Sequence, residues 1–516
     1  MKLENNINNP RREIFLNTLF VLFVFALFFT RAVIFFRYNL AMIDTDQPYM
    51  WLGATDYAKG LFHEPRYYGQ EYNTYMEGLF AVPMLLLKVP VYFAVPLATH
   101  FISLFPFMFT ACYLFFNNKK THALLTLAVV LCLPAPYDLL NSLPRGFVTG
   151  LFFCSFFIIN IVNPRNLIFV GINTLFGVIA YFVNPNSVLV SLPFLFYVFL
   201  TNYQIKKYYF VSVPGILFAI PVHLFFNQFY ISKPGNIIHP FENSFSTYVF
   251  GENISNLDLR FGQISFFFQN NCLVLLFVLL LVGALLLRQN KKGFAAFVFF
   301  FFLLLFSFSA SKILEGSQWV FMSYGRMFLG IPLLLCILLP LVSIKLPQAA
   351  LPIFLAPLFF TSYKLTNLDT QLDWNYEKKY WGGVRLYPLK DAIGMIDFYK
   401  KTCKEHDVDF LLISSHFWMN TILSAAGPSI YEDFPETQET FFEKRYWVRE
   451  KNKDRVIKKF MLLARASNLE KCMPFNKNFE LQKIDDFGLY LIKNNKRAMG
   501  EIIILLRACE PKVIKH

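Results

Sequence analysis

Two carboxylates one residue apart, Asp44 and Asp46, stand just behind a long uncharged run of the chain. Acids that close to a bilayer must be solvated, paired or put to use. At this spacing the two can share a divalent cation, or one can act as a general base with the other beside it. A structural alternative stands next to the chemical one. Asp46, two residues ahead of Pro48, also has the pattern of a helix N-cap with Pro near the first helical position. Downstream, Tyr67, Tyr68, Tyr72 and Tyr75 can stack on a sugar ring or anchor the loop at the lipid headgroups. Gln70 and Glu71 can hydrogen-bond hydroxyls, and Glu77 can orient the loop or hold a cation. Arg145, Arg326 and Lys312 can meet a phosphate, Arg by its planar fork, or they can snorkel at the interface.

These residues must be positioned by membrane helices. The chain has 516 residues, 56% hydrophobic and only 16% charged, and its mean hydropathy is +0.44. Apolar runs of that kind cross the hydrocarbon core as helices, because lipid offers no partner to an open backbone. We place about eleven spans, near 14–36, 90–116, 121–136, 146–163, 166–183, 187–201, 208–227, 264–288, 293–311, 327–344 and 348–363. Lys and Arg in short loops set the orientation. One set of ends carries Lys2, Arg11, Arg12, Lys119, Lys120, Arg165, Lys206, Lys207, Arg288, Lys291, Lys292 and Lys345. The opposite loops carry scattered cations such as Arg145, Lys233, Arg260, Lys312 and Arg326. The basic set reads as cytoplasmic, which puts the N-terminus inside and everything after about residue 362 outside. The first apolar stretch is too long for a signal peptide, and no small-residue cleavage site follows it.

Two regions fall outside the membrane. One is a loop at Arg37–Val89, too long to be a mere connector. The other is the tail from residue 364 to 516, long enough for a small core of its own. In the tail Ala392, Ile393, Ile396, Tyr399 and Cys403 recur at helical spacing, and Phe410–Ile413 and Leu489–Ile492 read as short buried strands. The fold class is therefore an all-α polytopic membrane domain, residues 1–363 including the first outer loop, with a mixed α/β extracytoplasmic domain, residues 364–516. His416 beside Ser414 and Ser415 is framed by no nucleophile motif, so the tail reads as a recognition or stabilising module. Cys403, Cys472 and Cys509 allow at most one disulfide there. The net charge of +14 follows from the basic loops and tail. No phosphate-binding glycine loop, zinc knuckle or aromatic–basic repeat points to nucleic acid.

The stretch Asp46–Gln47–Pro48–Tyr49–Met50–Trp51, followed by Asp56–Tyr57–Ala58–Lys59–Gly60, resembles the opening of the first outer loop in GT-C-type membrane glycosyltransferases. In that family an acidic residue precedes an aromatic amphipathic helix that ends at Gly. Tyr68–Gly69–Gln70–Glu71–Tyr72 and then Glu77 look like the next landmark of bacterial members, among them protein-mannosyltransferase-like and aminoarabinose-transferase-like enzymes. Pro144–Arg145–Gly146, Asn184–Pro185 and Gly325–Arg326 ahead of Leu329–Pro332 are similar to further family elements. The sequence departs from the pattern at Gln47, where many members have Glu, so the second acid has no direct counterpart. Asp44 can stand in for it, and the metal question stays open.

The resemblance implies a transferase that takes a sugar from a polyprenyl-phosphate donor to a glycan, lipid or protein acceptor. The active site would lie at the outer face of the plasma (inner) membrane. The donor's tail must stay in the bilayer while its phosphate sits at the interface, which suits catalytic groups on outer loops near helix ends. Asp46 is then the general base, with Asp44 beside it, and Arg145, Arg326 and Lys312 stabilise the departing lipid phosphate. Tyr68, Gln70, Glu71, Tyr72 and Glu77 are the substrate-binding candidates. The sequence names no definite cofactor, and a divalent metal cation is an option. The rival reading is a lipid or glycolipid transporter without chemistry. Transporters place charged or broken elements near the midplane, whereas here the candidate polar groups lie on outer loops.

Overall fold

The computed structural model describes residues 10–237, 243–316, 323–344, 348–372, 380–381, 384–414, 420–440, 443–464, 479–486, 488–494 and 496–509. Each of the eleven expected spans holds helix. Six helices are long and apolar enough to cross a bilayer, and a bent pair makes a seventh. The remaining spans are short or interrupted. The segment expected at 146–163, for example, forms two pieces, Leu151–Cys154 and Phe157–Val162. Lys2 and Lys345, two of the cations used for orientation, lie outside the described residues.

The described chain divides into two compact units. The first comprises residues 1–39, 96–225 and 242–384, and the second residues 40–95, 226–241 and 385–516. The sequence-based division at residue 363 had assigned the first loop to the membrane domain. In the structure that loop shares a compact unit with the C-terminal segment.

In the first unit, helix α1 (Pro10–Ile34) begins at a Pro, which needs no N–H there, and continues into a π-helical turn at Phe35–Asn39. That turn directs Arg37 and Tyr38 to the Asp369 carboxylate, while the Asn39 amide donates to Ser142 O at 3.0 Å. The span expected at 121–136 breaks where Pro134 and Pro136 remove backbone donors. Helix Lys120–Leu131 turns through 89° into Ala135–Ser142. Breaking a helix strands carbonyls. Here Lys364 Nζ donates to Leu131 O (3.4 Å) and Leu133 O (3.1 Å), and it pairs with Asp138 Oδ2 at 2.7 Å. Arg31 completes the cluster, with Nη1 donating to Asp138 O at 2.8 Å and Nη2 lying 3.3 Å from Asp138 Oδ1. Arg31, Asp138 and Lys364 are all buried. In contrast, helix Lys206–Ser232 turns Phe210, Ile216, Leu217, Ile220 and Leu224 outward, the arrangement of a segment surrounded by lipid.

The second unit carries a five-stranded sheet in the order Glu436–Glu439, Phe410–Ile413, Lys459–Leu463, Leu489–Lys493, Glu480–Lys483. Its first three strands are parallel and the last two join antiparallel. Phe410, Leu412, Phe460, Leu462 and Ile492 form a core with Met499, Ile502, Ile503 and Leu506 of the terminal helix. Both strands read from the sequence are present. The helical repeat forms Leu389–Glu405, burying Ala392, Ile396, Tyr399 and Cys403, with Ile393 half-buried. Cys403 is a buried free thiol. Cys472 lies outside the described residues, and so does the Cys509 side chain. The first loop is stitched into this unit by a short antiparallel pairing of Met42–Ile43 with Tyr387–Pro388.

Candidate functional site

The loop acids sit at the start of helix α2 (Gln47–Ala58), which carries Pro48 in its first turn and ends before Gly60 at φ +73°. The sequence made Asp46 the candidate cap. The structure gives that work to Asp44, whose Oδ1 accepts from the backbone N–H of Asp46 (2.9 Å) and Gln47 (2.8 Å). Asp44 is fully buried. The Asp46 side chain makes no cap hydrogen bond and is 32% exposed. Its backbone is held instead: Asp46 O accepts from the Tyr67 hydroxyl and from Tyr49 N. Lys444 Nζ stands 3.7 Å from Asp46 Oδ1. A partly open carboxylate on a fixed backbone, with a cation nearby and no capping duty, is equipped to accept a proton.

Helix α2 is gripped from two sides. Helix α3 (Met76–Leu86) packs so closely that a Cβ on Gly53 would come within 2.5 Å of the Tyr75 ring. From the C-terminal segment, Glu439 Oε1 accepts from the hydroxyls of Tyr49 (2.8 Å) and Ser424 (2.7 Å), and Oε2 accepts from the Asn420 amide at 2.7 Å. Glu443 receives the Glu439 N–H at 2.8 Å and the Arg445 guanidinium through Nε and Nη2, each at 2.7 Å. Arg445 also donates to Ser424 O and Thr437 O. Burial and the neighbouring Glu443 push the Glu439 carboxyl up, against the hydroxyls of Ser424 and Tyr49. Burial raises the Tyr49 hydroxyl as well, so that it serves as a donor to Glu439.

The aromatic landmark folds inward. The Tyr68 hydroxyl donates to Asp56 Oδ2 at 2.7 Å, and its ring meets Tyr75 at 4.5 Å and Trp447 at 4.6 Å. His63 stacks flat on Trp447 at 3.7 Å. Burial lifts Asp56 to about 6 and Glu64 to about 8, and it lowers His63 to about 4 with help from Lys233. Glu64 accepts from Gly69 N and the Tyr230 hydroxyl, each at 3.3 Å. Tyr68 and Glu77, expected as substrate contacts, are buried, 1% and 0% exposed. Gln70 and Tyr72 are half-buried and Glu71 is exposed.

The candidate phosphate cations lie in the first unit. Lys312 and Arg326 meet at one residue, Lys312 Nζ at 2.7 Å from Glu315 Oε2 and Arg326 Nη2 donating to Glu315 O at 2.9 Å. Arg260, which the sequence showed only as a loop cation, donates to Ile313 O at 3.4 Å and lies 4.0 Å over the Tyr324 ring. Arg145 stands 5.4 Å from the Phe147 ring centroid, and the next residue, Gly146, accepts from the Asn184 amide. The Arg-Gly and Asn-Pro elements are thus neighbours. Among the described residues no three His, Cys, Asp or Glu side chains converge as metal ligands, and Asp44 spends one oxygen on capping. Ser414 is buried with its N–H on Leu463 O; Ser415 and His416 lie outside the described residues.

Long apolar helices and a small mixed sheet make up a polytopic membrane fold. The crystal structure of ArnT from Cupriavidus metallidurans in the apo state, an aminoarabinose transferase of the GT-C family, has a similar fold. The TM-score is 0.55 at 13% sequence identity, covering 93% of this chain and 98% of that one. At that identity the likeness is one of fold. No family model and no curated protein matches the sequence.

Proposed function

We propose that this chain is a membrane glycosyltransferase of the inner membrane. It moves a sugar from a polyprenyl-phosphate donor to a glycan, lipid or protein acceptor on the extracytoplasmic face. The observation that carries the reading is Asp46, a partly open carboxylate on the first turn of α2, relieved of capping by Asp44. The GT-C-type fold supports it. In the proposed step the Asp46 carboxylate takes the proton of the acceptor hydroxyl as that oxygen attacks the anomeric carbon. The sugar–phosphate bond breaks, and the lipid phosphate leaves with the electron pair. Arg145, Lys312 and Arg326 are assigned to that phosphate on charge. Gln70, Glu71 and Tyr72 are the loop residues left to contact substrate.

The test is a purified-protein assay with polyprenyl-phosphate pentoses and hexoses, following release of polyprenyl phosphate. Release that depends on an acceptor supports transfer. The buried Arg31–Asp138–Lys364 cluster is the observation a transport reading would use. Movement of the lipid across liposomes with no release would replace the transferase reading with that one.

A further inference from the structure

We infer that Lys444, from the C-terminal segment, is the positioning residue of Asp46. The inference rests on the functional reading above and departs from the expectation that the tail contributes nothing to chemistry. Lys444 is only 7% exposed. Its ammonium stands 3.7 Å from Asp46 Oδ1, 4.7 Å over the Tyr49 ring and 6.0 Å over the Tyr67 ring. Both rings are fixed by their hydroxyls, Tyr49 on Glu439 and Tyr67 on Asp46 O.

The stem is fixed as well. Gly69, at φ +74°, lies so close that a Cβ there would meet Lys444 Cγ at 2.9 Å. On either side of Lys444, Glu443 and Arg445 are locked to each other and to the strand Glu436–Glu439. A buried ammonium needs a counter-charge. The acids around this one have other duties, Asp44 as the helix cap and Glu439 as acceptor for Tyr49, Ser424 and Asn420. At 3.7 Å the pair attracts at ion-pair range. The lysine thereby holds the carboxylate in place.

The experiment has two arms. Carbodiimide labelling of Asp46, read by mass spectrometry across pH, needs no substrate. In Lys444→Met and Lys444→Gln, both checked for folding by thermal melting, the labelling midpoint should rise by about one pH unit, since a neighbouring cation favours the ionised form. Lys444→Arg should return it to the wild-type value. In the turnover assay the neutral variants should lose roughly 10–100-fold in kcat, with the acid limb of the pH profile moved upward and donor KM little changed. An unchanged labelling midpoint in the neutral variants overturns the inference. Absence of wild-type turnover with every donor overturns the functional reading instead, and the labelling arm still decides the pair.

Discussion

The two units each bury a charged cluster, and the clusters are built in opposite ways. In the membrane helices one acid, Asp138, serves two cations, Arg31 and Lys364, drawn from sequence positions more than two hundred residues apart. In the second unit the charged groups come from one stretch of seven residues: Glu443 holds Arg445, and the Glu439 carboxylate beside them accepts from Tyr49, Ser424 and Asn420. The first cluster closes the gap left where a proline-broken helix exposes carbonyls. The second grips the helix that carries Asp46, through Tyr49. Buried charge of either sign survives only when paired, so both clusters read as architecture. Asp46 differs from every acid in them: it is partly open and paired at longer range.

The strongest test of that difference is Asp46→Asn. Loss of the proton acceptor should cut turnover by about 10²–10⁴-fold. Asp44 rather than Asp46 supplies the side-chain cap, so a fall in melting temperature would report the counter-charge taken from Lys444 and is measured alongside turnover. Wild-type turnover with saturating donor would erase the distinction between Asp46 and the structural acids. Asp138→Ala is the converse. It strands two buried cations and should cost about 3–5 kcal/mol of stability, read by denaturation in detergent. A loss under about 1 kcal/mol would mean the cluster is not a clamp.

A smaller effect should come from Glu64, whose carboxyl is raised by burial from 4.5 to about 8. A folded-state value above the unfolded one means the folded chain holds the extra proton. Its contribution is therefore complete below about pH 4.5 and is lost as pH rises towards 8. Glu64→Gln should flatten the fall in melting temperature across that window. An equally steep curve in the variant would assign the fall to another group. The smallest change is expected of Asp44→Asn. Asn caps nearly as well as Asp, so stability should move by about 0.5 kcal/mol or less and turnover should stay near wild type. Lost activity that added divalent cation restores would instead place a metal at Asp44.

The reach of the sequence follows from the range of each interaction. Strand Phe410–Ile413 and helix Leu389–Glu405 were legible because apolar periodicity is local. Helix α2 was legible from Pro48 and Gly60, yet the capping alternative fell on Asp46 where Asp44 caps: the two acids look alike until the backbone turns between them. Tyr68 and Glu77 read as surface residues because a loop gives no periodic sign of burial. Arg31 showed only as a cation at the end of a span, since its partners sit far along the chain.

By itself, then, the sequence determined the membrane class, the helical character of the spans but not their number, the α/β tail and the loop that bears the acids. Each of these depends on composition or on spacing within a few turns. Tertiary structure alone decided which acid caps α2, that the first loop shares a unit with the C-terminal segment, and that Lys444 faces Asp46. The cap depends on how the backbone turns between Asp44 and Gln47, and the other two on groups hundreds of residues apart coming within a few ångströms, an approach no local pattern encodes.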